Sequence, residues 1–387
     1  MNRYEMVALG TLIHQAKTMR CGDDDYPVLS MTMHDGLVFQ DEKFKKVIAS
    51  KDRTNYKIVK RNQLVIGFPI DEGVLAAQRI VDAGIVSPAY GIWDIDQSKI
   101  LPEFLEYVLR CDRALSYYKA KLRGSTARRR TLPTPTLLEY TVPLPSISEQ
   151  EHILDVVHKA RSVISGCAEE ITLLDKLIKS RFVEMFGMPG TDDFDWGRFP
   201  LGSICHINPK KGQDSRLSSG VEVSFVSMSA VTERGEIDAT EVKKYDEVKK
   251  GFTYFAENDV LFAKITPCME NGKGAVATGL HNGLGFGSTE FHVLRPITGK
   301  SNPHWIYTLT AFTQFREDAA RNMTGSAGQR RVPASFLENY LVALPPIELQ
   351  NQFAEFVIET YKSKSAIQAA LDKTQLLLDS LMQEYFG

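Results

Sequence analysis

The sequence predicts an α+β protein built twice: two mixed α/β units joined by two long antiparallel coiled-coil helices, in a pseudo-twofold internal repeat. Three observations predict it. Set against each other without a gap, residues 137–187 and 337–387 are identical at 14 of 51 positions, where ordinary residue frequencies would give roughly three. Inside each block apolar residues step by alternating fours and threes, the pattern of a coiled-coil seam. Ahead of each block lie short β-rich runs separated by turn residues.

The repeat reaches beyond the helices. The shared positions include Leu137/Leu337, Tyr140/Tyr340, Val142/Val342, Leu144/Leu344, Pro145/Pro345, Ile147/Ile347 and Gln150/Gln350, and they close with Glu184/Glu384 and Phe186-Gly187/Phe386-Gly387. Pro133 matches Pro333. Further upstream, Asn62-Gln63-Leu64-Val65 parallels Asn258-Asp259-Val260-Leu261, and Ser87-Pro88-Ala89-Tyr90 parallels Ser288-Thr289-Glu290-Phe291. Leu9-Gly10-Thr11-Leu12 parallels Leu201-Gly202-Ser203-Ile204. The landmarks keep their order while the sequence between them differs, as expected of one scaffold carrying two different surfaces. A period this long excludes a solenoid, whose repeats run about 20–50 residues. The boundaries expected are 1–136 for the first globular unit, 137–187 for its helical spacer, 188–336 for the second unit and 337–387 for the second spacer.

Each spacer has its own grammar. Pro143-Leu144-Pro145 ends an extended stretch, and Ser148 with Glu151 has the capping-box spacing, which predicts a helix start near Ser148. The first seam is Ile153, Val157, Ala160, Ile164, Cys167, Ile171, Leu174, Ile178. The second, Phe353, Val357, Thr360, Lys364, Ile367, Leu371, Thr374, Leu378, is less apolar. A helix over 148–186 would be roughly 58 Å long. Gly187 and Gly387 suit the position just past a helix end, where the backbone turns left-handed. Two seams on one chain most simply pack on each other, as a spacer between the globular units, as a plain hairpin or as a face for a partner.

Composition excludes several classes. The 387 residues are 43% apolar, ample for two or three cored domains. No apolar run approaches the roughly 18 residues needed to span a bilayer. No signal-peptide core is present, so a cytoplasmic protein without membrane contact is expected. Five cysteines stand singly with no metal-ligand pairing, as for thiols in a reducing compartment. The net charge of −2 hides an uneven distribution. Residues 1–136 hold 21 Lys and Arg against 16 Asp and Glu, and residues 188–336 hold 17 of each. The two spacers hold 5 against 8 and 3 against 7. The helices are acidic and the first globular unit is basic.

In the globular parts, Ile58–Phe68, Gly84–Ile95, Val221–Met228, Asp259–Ile265 and Ser288–Leu294 read as strands, and Leu101–Lys121 and Pro303–Arg321 as helices. Each of these helices runs into a Gly-Ser loop with paired arginines: Gly124-Ser125 with Arg129-Arg130, and Gly325-Ser326 with Arg330-Arg331. Lys and Arg supply phosphate contacts, while Arg, Gln and Asn reach base edges. A Gly-Ser turn lets backbone N–H groups approach a phosphate. Basic runs alone are usually only solvated, but these recur at the same place in both copies. The candidates are therefore Ser125, Thr126, Arg128, Arg129 and Arg130 in the first unit, with Lys45 and Lys46 from the basic run 43–61. In the second unit they are Lys210, Lys211, Lys264, Thr266, Ser326, Gln329, Arg330 and Arg331.

Enzymatic motifs are imitated without being completed. Asn302-Pro303-His304-Trp305 is close to the Asn-Pro-Pro-aromatic motif of amino-group methyltransferases but lacks the second proline. Gly285-Phe286-Gly287 is followed by a strand pattern where a cofactor loop requires a helix. Glu241-Val242-Lys243 and Glu247-Val248-Lys249 both mimic part of a nuclease set, which shows how cheap that pattern is. No phosphate-loop motif of a motor occurs. No catalytic residue and no metal site is expected.

At Leu144-Pro145-Ser146-Ile147-Ser148-Glu149-Gln150, followed by a heptad helix ending in Phe-Gly, and at its echo Leu344-Pro345-Pro346-Ile347-Glu348-Leu349-Gln350, the chain resembles the specificity subunit of type I restriction-modification systems. The resemblance covers essentially the whole sequence. It implies two target-recognition domains that read the halves of a split double-stranded DNA sequence, about one helical turn apart, with the helix pair as a ruler. It implies no active site and no cofactor in this chain, and two partner methyltransferase subunits that use S-adenosylmethionine. Restriction (motor-nuclease) subunits would join through that complex. Two departures stand out: Leu349 replaces the glutamate of the first copy, and the lead before Leu9-Gly10 is short. The competing readings are a duplicated scaffold that holds proteins, and a self-sufficient methyltransferase or nuclease.

Overall fold

The computed structural model describes residues 4–33, 35–43, 53–122, 132–191, 194–326 and 328–387. The chain folds into two compact units. The first comprises Met1–Gly166 with Ala370–Gly387, and the second Cys167–Ala369. Two 40-residue helices, Ile147–Phe186 and Ile347–Phe386, pass between them. Each unit thus owns the first half of one long helix and the last half of the other.

Both units are organised around the same sheet. In the first, the antiparallel order is Ile13–Gln15, Gly91–Ile95, Leu64–Ile66, Leu75–Ala77. In the second it is Cys205–Ile207, Phe291–Pro296, Val260–Ala263, Gly274–Val276. Asn62 and Asn258 turn the chain into the matching strands with φ of 67° and 66°, a left-handed conformation that asparagine tolerates. Their amides donate to Gln78 and Ala277 carbonyls at 2.7 Å each. The Ser87 and Ser288 hydroxyls accept from Ala89 N–H at 3.3 Å and Glu290 N–H at 3.2 Å, shaping the same turn before each central strand. The units diverge at the second layer. In the second unit a four-stranded sheet runs Val242–Lys244, Glu222–Val226, Leu284–Gly287, Thr253–Ala256. The first unit has separate pairs, Lys57–Lys60 with Ala83–Val86 and Leu29–Thr32 with Gly36–Phe39.

Two predicted strand runs, over 58–68 and 84–95, are each two strands, because the Asn62 and Ser87 turns interrupt them. The two predicted helices are also broken. Pro102–Arg110 and Asp112–Lys121 are separated by extended Cys111, and Pro303–Ala311 and Thr313–Arg321 by extended Phe312. In both cases a side chain of the second helix satisfies a carbonyl at the end of the first. Tyr118 Oη donates to Leu109 O at 3.2 Å, and Arg316 Nε to Thr310 O at 2.6 Å. Each bond gives a partner to one of the carbonyls that the break leaves without one in the helix.

The long helices begin one residue before the predicted start. Ser148 lies inside the first helix, and the first-turn amides of Glu149 and Gln150 donate to Ser146 O at 3.0 and 2.9 Å. Pro346 O takes the same role in the second copy, at 3.1 Å from Leu349 N and 3.2 Å from Gln350 N. No capping hydroxyl is possible on a proline, so the start is set elsewhere. It is set by Gln150 and Gln350, both fully buried. Gln150 Nε2 donates to Lys99 O and Pro145 O, each at 2.9 Å, while its Oε1 accepts from Leu101 N at 2.8 Å. Gln350 repeats the set with Lys300 O at 3.2 Å, Pro345 O at 2.9 Å and Asn302 N at 2.9 Å.

Within each unit the two helix halves pack antiparallel. In the first, Ile153, Val157 and Ala160 share a core with Leu378 and Phe386, whose ring lies 5.3 Å from those of Phe104 and Tyr107. In the second, Phe182 and Phe186 lie 5.5 Å from Phe353, and Lys364 Nζ reaches Asp175 Oδ1 at 2.5 Å. Lys364 is thus a buried seam residue held by its partner's charge, which explains how a lysine occupies an apolar register. Gly187 takes the expected left-handed conformation after the first helix, φ 77°.

Replacing Gln150 or Gln350 by Ala would strand one buried N–H and two carbonyls. We expect a loss of about 2–4 kcal/mol, read as a lower urea midpoint for the affected unit. A loss below about 0.5 kcal/mol, the range of ordinary surface changes, would show that the side chain does not make the tie.

Candidate nucleic-acid interface

In the second unit the segment Thr324–Val332 is pinned along the end of the central sheet. Thr324 and Arg331 exchange backbone hydrogen bonds at 2.9 and 2.8 Å, Thr266 N donates to Arg330 O at 3.1 Å, and Val332 N donates to Lys264 O at 2.9 Å. The loop so closed is tight. Gly325 has φ 119°, and a Cβ there would lie 2.9 Å from Gln329 O, so no side chain fits. Gln329 N donates to Ser326 O at 3.1 Å across the turn. Ser326, Gln329 and Arg330 are exposed at the tip. Among the described residues their side-chain polar groups make no hydrogen bond, and Arg330 Nη2 comes only within 3.9 Å of Glu270 Oε1.

Beneath the tip, Arg331 and His292 are held by hydrogen bonds. Arg331 grips Glu290 with Nε and Nη2, at 2.9 and 2.8 Å, and its Nη1 donates to Gln329 O at 3.1 Å. That hydrogen-bonded guanidinium holds the Glu290 carboxyl below its ordinary range. His292, buried on the central strand, has Nε2 at 2.8 Å from Val332 O and Nδ1 at 3.0 Å from Asn208 Nδ2. A carbonyl only accepts, so Nε2 carries the proton and Nδ1 accepts from the Asn208 amide. Asn208 Oδ1 in turn accepts from Val293 N at 3.1 Å. Burial lowers the His292 pKa, and it lowers that of half-buried Lys264.

Six of the residues singled out in the sequence therefore meet at one place: Lys264, Thr266, Ser326, Gln329, Arg330 and Arg331. Lys210 and Lys211 stand two and three residues after Asn208 in the chain, and the Lys211 ammonium donates to the Lys249 carbonyl, outside the cluster. Lys45, Lys46, Ser125, Thr126, Arg128, Arg129 and Arg130 lie outside the described residues. Asn208, Glu270, Glu290 and His292 went unnoticed in the sequence. Only Glu290 carried a signal, its place in the Ser288–Phe291 landmark.

The methyltransferase-like tetrapeptide has a local explanation. Asn302 Oδ1 caps the Pro303–Ala311 helix by accepting from His304 N at 2.9 Å, and Trp305 is buried beside Phe182. The Gly285–Gly287 run is strand backbone, where a Cβ on Gly285 would lie 2.1 Å from the Phe255 ring. Among the described residues no cluster of His, Cys, Asp and Glu could hold a metal ion. No described helix is long and apolar enough to cross a membrane.

Residues 194–374, which contain the whole cluster, match the family model of the type I restriction modification DNA specificity domain. By that match the chain resembles a type I restriction-modification DNA specificity domain over those residues. It is 38% identical over 193 residues to the type I restriction enzyme EcoEI specificity subunit of Escherichia coli. To the EcoAI specificity subunit of the same organism it is 35% identical over 198 residues. These matches take in 48% and 49% of this chain but only 32% of each relative's own length. Two solved chains share the fold. One, from a study of complex assembly and conformational transition of the type I R-M system, aligns over 99% of this chain and 97% of its own, with TM-score 0.56 at 17% identity. The other, the S subunit of a type I restriction-modification system from M. genitalium, aligns over 100% and 96%, with TM-score 0.53 at 13% identity.

The hydrogen-bond network beneath the loop gives a pH signature. The unfolded chain protonates His292 near its ordinary 6.5, whereas the folded domain keeps the ring neutral to lower pH. Its contribution is therefore complete above 6.5 and declines as pH falls below it. Glu290, with its pKa depressed, contributes fully above its ordinary 4.5 and loses that as pH falls through the folded value. We expect an NMR midpoint for the His292 ring below 6.5, and in His292→Asn a flatter pH dependence of Val332 amide exchange. A midpoint at or above 6.5 would contradict the assigned network.

Proposed function

We propose that this chain is a non-catalytic DNA-reading subunit that directs adenine methylation by partner subunits to an asymmetric, split target. The observation that carries the proposal is the Gly325–Arg331 loop. It sits in the region that matches a specificity domain, with Ser326, Gln329 and Arg330 exposed at its tip and its base firmly held. Such a tip can offer Arg330 and Gln329 to base edges and the Ser326 turn to a phosphate. The first unit repeats the scaffold, including the sheet order and the glutamine tie, and its residues 124–130, outside the described residues, would read the other half-site. The two long helices would fix the unspecified gap. Two methyltransferase subunits that bring S-adenosylmethionine, and motor-nuclease subunits beyond them, are the partners this reading requires, in the cytoplasm where the DNA is.

Domain boundaries of 1–136, 137–187, 188–336 and 337–387 are proposed as functional segments, each reading unit with its spacer. The mixed charge of the second unit is compatible with this role, since few contacts are needed where the partners also bind DNA.

Single-molecule methylation mapping tests the reading in cells that make this chain with and without a methyltransferase encoded beside it. The expected result is a split adenine-methylated motif that requires both proteins. In the Arg330→Ala/Arg331→Ala double variant the half read by the second unit should relax or vanish. Methylation by this chain alone would establish a catalytic site in it. No motif from an assembled complex would favour a protein scaffold.

A further inference from the structure

Arg330 and Arg331 are neighbours with identical chemistry, yet the fold treats them differently. A guanidinium reads guanine by presenting two adjacent N–H groups to O6 and N7. Arg331 has the pair on its Nε side taken, and three of its five N–H groups are engaged. Its Nε and Nη2 are spent on both oxygens of Glu290 at 2.9 and 2.8 Å, and Nη1 on the Gln329 carbonyl at 3.1 Å. Its backbone is committed as well, through the paired hydrogen bonds to Thr324. Arg330 is the reverse. Its carbonyl is fixed by Thr266 N at 3.1 Å, while its side chain is exposed and, among the described residues, approaches Glu270 at 3.9 Å without a hydrogen bond.

Glu290 closes the turn before the central strand and His292 is the second residue of that strand. Glu290 holds Arg331 while His292 holds the Val332 carbonyl, and Asn208 buttresses the His292 ring at 3.0 Å. The two contacts fall on successive residues at the loop's C-terminal end. That end cannot shift without breaking a bidentate ion pair and a buried hydrogen bond together.

We propose that Arg331 is a positioning residue and not a DNA contact. With Glu290 and His292 it forms a strut that aims Arg330 and Gln329, the two side chains of this loop left to reach base edges. This deepens the reading of the chain as a DNA-specificity subunit and rests on it. Specificity at this half-site then depends on Glu290, an acid that would repel DNA if it faced it alone. Removing Glu290 should therefore weaken reading, although the change makes the surface more positive.

A charge reversal across the pair separates a strut from a reader. In the full chain assembled with its methyltransferase, Arg331→Glu and Glu290→Arg should each reduce methylation of the second unit's half-site at least about tenfold. The Glu290→Arg/Arg331→Glu double variant should recover most of it. Arg330→Gln should lose the half-site with no change in the exchange of the Thr324 and Arg331 backbone amides. That exchange should quicken in both single variants and return in the double. A double variant with restored amide protection but no reading would show that Arg331 touches DNA itself and overturn the proposal. Single variants with unchanged amide exchange would overturn the strut. If the unmodified complex writes no split motif, the DNA reading fails by itself, and the exchange data still decide whether the strut exists.

Discussion

Two buried glutamine side chains set the geometry from which the rest of this molecule follows. Gln150 and Gln350, each in the first turn of a long helix, gather three backbone groups from two segments: two from the turn before the first short helix, and the carbonyl of the proline that follows a short strand. A side-chain amide offers both donors and acceptors, and here the glutamine itself is fully buried, where unmade bonds are expensive. The tie leaves the long helix no freedom to rotate or slide against the sheet. Since the helix also carries the seam, the faces presented by Phe353 and Val357, or by Ile153 and Val157, are fixed together with it.

That constraint explains why the helix-start sequence is shared between copies that otherwise diverge. The Leu-Pro-x-Ile lead and the glutamine serve a backbone junction, and a junction tolerates few chemistries. Position 149/349 shows the contrast. Glu149 accepts from the Tyr4 hydroxyl at 2.9 Å in the first unit, whereas Leu349 packs against the core of the second. Neither residue belongs to the tie, and the two copies have settled it differently. The surfaces differ most in the second layer, where one unit builds four continuous strands and the other two separate pairs. A fixed junction beneath a variable layer suits a protein whose two halves must meet one frame and present two specificities.

Much of this was legible in the residues. Periodicity located both long helices, and the landmark order located the equivalent turns, because each landmark is a backbone necessity: a left-handed asparagine, a serine-capped turn, a buried leucine that donates its amide to Tyr140 or Tyr340. What escaped were features decided by tertiary contacts. The breaks at Cys111 and Phe312 depend on Tyr118 and Arg316 reaching back to close the carbonyls, and no local pattern announces that. Ser148 and Glu151 formed a persuasive capping box, yet Ser146 and Gln150 set the start. At the candidate interface the basic and polar residues were found because their type is informative, whereas Glu290, His292 and Asn208 were missed. Their importance lies in which atoms they hold, 41, 40 and 84 residues away in the chain.

The central claim is that the loop closed by Thr324 and Arg331 is the surface of this unit that meets DNA. Backbone amide exchange of the assembled complex, with and without a duplex carrying its methylated motif, tests that claim most directly. The account predicts that DNA slows exchange at Ser326, Gly328 and Gln329, with lesser slowing near Lys210 and Lys211. It also predicts no change in the already protected Thr324–Arg331 pair. Protection that appears elsewhere on the unit while the loop tip exchanges as before would contradict it.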